Sequence, residues 1–264
     1  MLKFGLLTLG AAALVYGLVL AVMFFFQRRL QYFPTHRDEK GLGNGEFTAF
    51  LSSTSQFLGY VREAKSARKV LLFFHGNGGE ALDREWLSEI DPDQQLHIVL
   101  AEYPGYGARK GTPTEKALFD AALQIYDEAK KRWNLPITLV AESLGSGVAA
   151  FLASQRPVTG LALIAPFTSA VDVASRVYKF LPVRLLMQDK YDARKYLGQV
   201  KVPLRIVHGT LDDVVPVELG KQLLESYPGP EKRLEEVPGY GHQNIPAAVV
   251  DSPFAEGFRE LILH

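Results

Sequence analysis

The apolar positions of this chain fall into two patterns. From residue 4 to residue 26 there is no charged side chain, and the run closes on Phe24, Phe25, Phe26, Gln27, Arg28 and Arg29. At a rise of about 1.5 Å per residue this run makes a helix roughly 35 Å long, enough to cross a bilayer. A secretory leader has a shorter apolar stretch followed by a small-x-small cleavage site, so residues 1–30 read as an uncleaved transmembrane anchor. Within it Ala13, Gly17 and Ala21 form a small-xxx-small row of the kind that packs helices together.

Beyond a polar, Gly-rich connector at 35–46 the pattern changes to short segments. The stretches 46–51 and Phe57–Arg62 read as a strand hairpin. Lys69–Phe74, Leu96–Ala101, 137–141, 161–164 and 204–207 are apolar runs without alternation, as in strands buried on both faces. Helices are expected between them, near 80–90 and over 148–154. The best-signalled helix opens at Thr112-Pro113-Thr114-Glu115, with Thr112 and Glu115 as a capping box and Pro113 at the first helical position. Its apolar face is Leu118, Ala121, Ala122, Ile125 and Ala129. Such alternation predicts an α/β fold: one domain over 31–264 with a mostly parallel sheet and helices on both faces.

Composition removes several kinds of function. The 264 residues include no Cys, which excludes a disulfide framework, a thiolate zinc site, an iron–sulfur cluster, a thiol nucleophile and a palmitoylated cysteine. The 29 Lys and Arg balance 29 Asp and Glu without a long basic run, which argues against a nucleic-acid surface. There is no H-E-x-x-H, no grouping of His with acids at ligand spacing and no G-x-x-x-x-G-K-[ST] loop, so neither a metal nor a cofactor is expected. Gly105, Gly107 and Gly111 do not have the spacing of a dinucleotide fingerprint. The charge is unevenly placed, however. With Lys3, Arg28 and Arg29 set aside, the 26 remaining basic and 29 acidic residues leave the body at −3. Arg28 and Arg29, with Arg37 and Lys40 partly offset by Asp38 and Glu39, outweigh Lys3 and the amino terminus, so the positive-inside rule expects a cytoplasmic body.

Ligands of a parallel open sheet bind at the carboxyl ends of its strands. After the run at 137–141 comes Glu142-Ser143-Leu144-Gly145-Ser146-Gly147, a G-x-S-x-G pattern with Ala141 in place of the first glycine. Small residues on both sides of Ser143 permit a sharp strand-to-helix turn that lifts the hydroxyl to a helix N-terminus. Taken alone, Ser143 reads equally well as a helix cap. The run at 204–207 leads into His208 and then Asp212, and 233–237 leads into Gly239-Tyr240-Gly241-His242. Asp212 alone would be a turn residue and His242 a surface loop residue, but the order Ser, Asp, His is that of serine hydrolases built on such a sheet.

From about Glu46 to the end the sequence resembles the α/β-hydrolase superfamily, on Phe74-His75-Gly76-Asn77-Gly78, Tyr103-Pro104-Gly105-Tyr106-Gly107, the Ser143 turn, Asp212-x-x-Val215-Pro216 and Gly241-His242. It looks like the branch of membrane-anchored or secreted single-domain enzymes that includes depalmitoylases, monoacylglycerol- and lysophospholipid-lipase-like proteins and serine-aminopeptidase-like proteins. The resemblance implies Ser143 as nucleophile, His242 as base and Asp212 as acid, the Asp-x-x-Val-Pro spacing favouring Asp212 over Asp213. It implies an oxyanion hole from the backbone N–H groups of Leu144 and Asn77, and a short helical lid over about 167–200. His75 and His208 are expected to support their loops, and the tyrosine loop to border the site or simply to pack. Departures are Ala141, Gln243-Asn244 where many relatives have Asn-Asp, and the missing Cys-rich amino terminus of some depalmitoylases. The implied activity is hydrolysis of a carboxylic ester or thioester of a small-molecule or acylated substrate beside a bilayer that holds residues 4–26. A serine aminopeptidase, or a membrane-tethered binding protein that has lost catalysis, remain alternatives.

Overall fold

A computed structural model describes residues 2–37, 43 and 45–263. Residues 38–42 and 44, in the expected connector and including Asp38, Glu39 and Lys40 of the charge argument, lie outside the described residues, as does the Lys3 side chain. The apolar run forms α1 (Leu2–Gln31), a single helix that is apolar on nearly every side and in which large side chains such as Phe4, Leu7, Leu14 and Phe25 stand exposed. It is long and apolar enough to cross a membrane. Its end is tied down at once. Phe33–Pro34 (β1) pairs in parallel with β5 (Gly78–Gly79), and the N–H groups of Gly107 and Arg37 bond the carbonyls of Thr35 and Gly107 at 2.9 and 3.0 Å.

Between these lie β2 (Thr48–Leu51), β3 (Phe57–Arg62) and β4 (Lys69–Phe74). After β5 come a 3-10 helix (Ala81–Ile90), β6 (Leu96–Ala101), α2 (Glu115–Trp133), β7 (Ile137–Glu142), α3 (Leu144–Gln155) and β8 (Gly160–Ile164). The 167–200 segment carries α4 (Ala170–Val177), α5 (Val183–Leu186) and α6 (Ala193–Leu197). The chain closes with β9 (Leu204–Gly209), α7 (Val217–Ser226), β10 (Lys232–Val237), α8 (Ile245–Asp251) and α9 (Glu256–Leu263). Eight strands make one sheet in the order β10-β9-β8-β7-β4-β6-β3-β2. It is parallel from β10 to β6, and the β2–β3 hairpin extends it antiparallel.

The apolar runs are strands because both their faces are covered. Leu118, Ile125, Val148 and Leu152 of α2 and α3 belong to the core on one face; Leu87, Ile245, Val249 and Phe258 belong to the core on the other. Register aligns the strand ends: Phe74 sits opposite both Ala101 and Ala141, and Glu142 opposite Ile164. The loops that follow β4, β6, β7 and β8 therefore leave along one rim.

Two local expectations are corrected. Helix α2 starts at Glu115 with Thr114 as its cap, the Thr114 hydroxyl accepting from the Ala117 N–H at 3.0 Å, rather than at Pro113 with Thr112 as cap. The Glu115 carboxylate is engaged elsewhere, accepting from the N–H groups of Lys190 and Tyr191 at 2.8 and 3.0 Å, so it closes no box on Thr112. The 80–90 helix has 3-10 geometry and leaves helical angles at Arg84, whose guanidinium bonds Glu142.

Candidate active site

Ser143 stands on the turn from β7 into α3 with φ +49° and ψ −113°, a combination an L-residue adopts only under constraint, at a cost of about 1–3 kcal/mol. Its neighbours show why the flanking residues are small. A Cβ on Gly145 would strike the Phe74 carbonyl oxygen, and one on Gly147 would lie 2.8 Å from the Tyr191 Cβ. Ala141 is fully buried and its methyl group fits, so the glycine usual at that position is dispensable here. The Ser143 N–H donates to the Ile164 carbonyl at 2.9 Å, which locks the turn to the neighbouring strand end. Leu144 heads α3, where the first N–H groups have no carbonyl partner within the helix.

His242 follows β10 in the glycine-rich loop, and its ring bridges two strand ends. Nε2 lies 3.0 Å from the Ser143 hydroxyl oxygen and Nδ1 lies 2.7 Å from Asp212 Oδ2. With the Nδ1 proton donated to the carboxylate, Nε2 is left to accept from the serine. The other Asp212 oxygen accepts from the N–H groups of Val214 and Val215 at 3.0 and 2.7 Å. Burial pushes the Asp212 pKa up, but hydrogen bonds from His208 and His242 outweigh it and hold the carboxyl well below the usual range. Asp212 is thus a fixed anion behind the imidazole. The neighbouring Asp213 is exposed to solvent. His208 Nε2 donates to the Val215 carbonyl at 2.8 Å and sits 3.4 Å from Asp212, so it braces the turn that carries the acid.

The loop after β4 passes close beside the serine: a Cβ on Gly76 would lie 3.6 Å from the Ser143 Cβ. Tyrosines hold this loop. Tyr103 donates to the His75 carbonyl at 2.8 Å and Tyr106 to Asn77 Oδ1 at 3.0 Å, with the His75 ring packed against both rings. His75 Nε2 lies 3.2 Å from Glu102 Oε1, and both side chains are fully buried.

No family model matches the chain. An uncharacterized protein of Mycobacterium tuberculosis is 31% identical over 242 residues, covering 88% of this chain and 86% of that protein. The lysophosphatidylserine lipase ABHD12 of Danio rerio is 29% identical over 187 residues, 63% of this chain and 49% of the lipase, so the chain spans about half of that relative's length. Among solved structures, Est1E from Butyrivibrio proteoclasticus with ferulic acid bound superposes with a TM-score of 0.65 at 18% identity, over 81% of this chain and 99% of that one. The chain belongs to the α/β-hydrolase superfamily.

Two parts of the hydrolase site were not read from its sequence. One is Arg84, which grips the Glu142 carboxylate through Nε and Nη2, both at 3.1 Å, directly before the serine. Nothing in spacing joins residues 58 positions apart, although an acid beside the central serine is itself a signal that a partner is needed. The other is the extent of the cavity. About 820 Å³ opens above Ser143 and His242, and its walls include Met23, Gln27, Leu30 and Gln31 of α1 as well as apolar side chains of the 167–200 segment.

Proposed function

We propose that this chain is a membrane-anchored serine hydrolase that cleaves carboxylic ester or thioester bonds through an acyl-enzyme. The observation that carries the reading is the continuous contact from Ser143 through His242 to Asp212, 3.0 and then 2.7 Å. His242 Nε2 takes the hydroxyl proton as Ser143 Oγ bonds to the substrate carbonyl carbon, and Asp212 holds the imidazolium in place. The negative charge that develops on the carbonyl oxygen is met by the N–H groups of Leu144 and Asn77, the first aided by the positive end of α3. The imidazolium then gives its proton to the departing alcohol or thiol as that bond breaks. Water, deprotonated by the same imidazole, attacks the acyl-enzyme, and the acid leaves with Ser143 restored.

The lipase name of the Danio rerio relative supports a lipid-like ester, and the apolar cavity walls agree with one. α1 is the anchor, and Arg28 and Arg29 at its carboxyl end favour a cytoplasmic body. The 167–200 segment is the lid.

Ser143→Ala tests the assignment. It removes fluorophosphonate labelling and the hydrolysis of p-nitrophenyl esters while far-ultraviolet circular dichroism is unchanged; labelling as strong as wild type overturns the nucleophile. Cleavage of aminoacyl anilides in preference to esters moves the reading to the aminopeptidase class, and a protein with neither activity is the non-catalytic binder. A carboxyl-terminal reporter that is active only in an extracytoplasmic compartment overturns the topology.

A further inference from the structure

The N-terminal helix does more than hold the enzyme at a surface. We infer that the carboxyl-terminal third of α1 is a wall of the acyl-chain pocket, so that the substrate's hydrocarbon tail lies between this helix and the 167–200 insertion and reaches Ser143 from the lipid. This rests on the hydrolase reading above and names the part of the substrate that the cavity takes.

Three observations point there. Positions 20, 23, 27 and 31 of α1, spaced three or four apart on one face, are half-buried, while the other side chains described in this helix are exposed. Met23, Gln27 and Gln31 of that face line the cavity whose floor holds Ser143 and His242. Val177, Leu181 and Leu186 of the insertion line the same cavity, so its apolar lining comes from the insertion and, through Met23 and Leu30, from α1.

The helix is also fastened in this place. Gln27 donates to the Leu186 carbonyl at 3.2 Å and accepts from the Gln188 N–H at 2.8 Å. Arg28 Nε and the Tyr32 hydroxyl both reach Asp189 Oδ2, at 3.0 and 3.1 Å, and Gln31 donates to the Asp189 carbonyl at 3.0 Å. A helix serving only as a tether needs none of these.

The direction of access follows from a contact higher up. The Tyr16 hydroxyl, inside the apolar run, donates to the Phe180 carbonyl at 2.8 Å. The tip of the insertion therefore lies beside the membrane-crossing part of α1, where Phe180 and Leu185 are 90% and 85% exposed. Such side chains are costly in water and at home among lipid tails. Arg184, beside Leu185, is turned to Asp172 of α4 at 2.9 Å. A single-chain lipid can slide from the bilayer along α1 with its ester leading, and needs no passage of its tail through water.

The test uses the full-length protein in phospholipid vesicles and the ratio of p-nitrophenyl laurate to p-nitrophenyl acetate turnover, with fluorophosphonate labelling of Ser143 measured in parallel. Met23→Trp fills part of the cavity that Met23 and Ser143 both line and lowers the ratio by about tenfold or more, on the scale by which apolar pockets discriminate. Val177→Trp, from the insertion side of the cavity, does the same. Leu14→Trp, on an exposed part of α1 away from the cavity, leaves the ratio at the wild-type value. An unchanged ratio in both Met23→Trp and Val177→Trp, with Ser143 still labelled, overturns the inference and leaves the hydrolase reading intact. An equal fall in Leu14→Trp overturns it as well. Failure of wild-type Ser143 to take up the probe overturns the hydrolase reading and this inference with it.

Discussion

Below the cavity Ser143 is held by its strained turn and the Ile164 carbonyl, Asp212 by two N–H groups of its own turn, and His242 by the side chains of both. Above it, α1 and the 167–200 insertion meet through a few polar side chains, several at the surface, and leave apolar groups such as Phe180 and Leu185 uncovered among the described residues. The floor is thus held together within the folded domain, whereas the roof leaves these large apolar side chains exposed. Under the proposed function, chemistry and the choice of acyl chain fall to separate parts of the chain.

That contrast is open to attack at three places. Asp212→Asn keeps the shape of the floor but removes the anion and the tautomer it selects, and turnover of p-nitrophenyl esters drops by about 10⁴-fold. A fall of less than about tenfold breaks the account of the floor. Ser143→Gly removes a side chain from a φ that glycine tolerates, so the inactive variant is more stable than wild type by about 1 kcal/mol, or about 2–4 °C in melting temperature. An unchanged or lower melting temperature means that the turn carries no strain. Arg28→Ala touches only the roof. The Arg28 side chain is 46% exposed, and Asp189 keeps its bond from Tyr32, so the cost in denaturant unfolding is below about 1 kcal/mol. A loss of several kcal/mol places the roof on the same footing as the floor.

Much of the floor was legible because it hangs on strand ends, and strand ends follow from where apolar runs stop. The unbroken runs at 69–74, 96–101, 137–141 and 204–207 are strands because both faces are covered, so Ser143 and Asp212, after the last two, fall on the rim by position alone. That His242 reaches them depends on β9 and β10 being neighbours in the sheet, and only the order of the motifs suggested it. Propensity failed at Thr112, where a well-formed capping signal lost to a tertiary use of Glu115. The pairing of Arg84 with Glu142 was out of reach, since no local rule relates the two residues. The role of α1 was legible only in part. Its apolar content announced a span, while Tyr16 and Gln27, eleven positions apart and so on one face, were the sign that this face has a partner.

The stitch between Phe33–Pro34 and Gly78–Gly79 leaves no slack between the end of α1 and the backbone beside Asn77. An enzyme on a long leash would sweep a volume and sample whatever passes through it. With α1 set in a membrane as proposed, this one would ride at a constant height and a constant tilt, its search confined to two dimensions and to molecules that present their cleavable bond at that one depth.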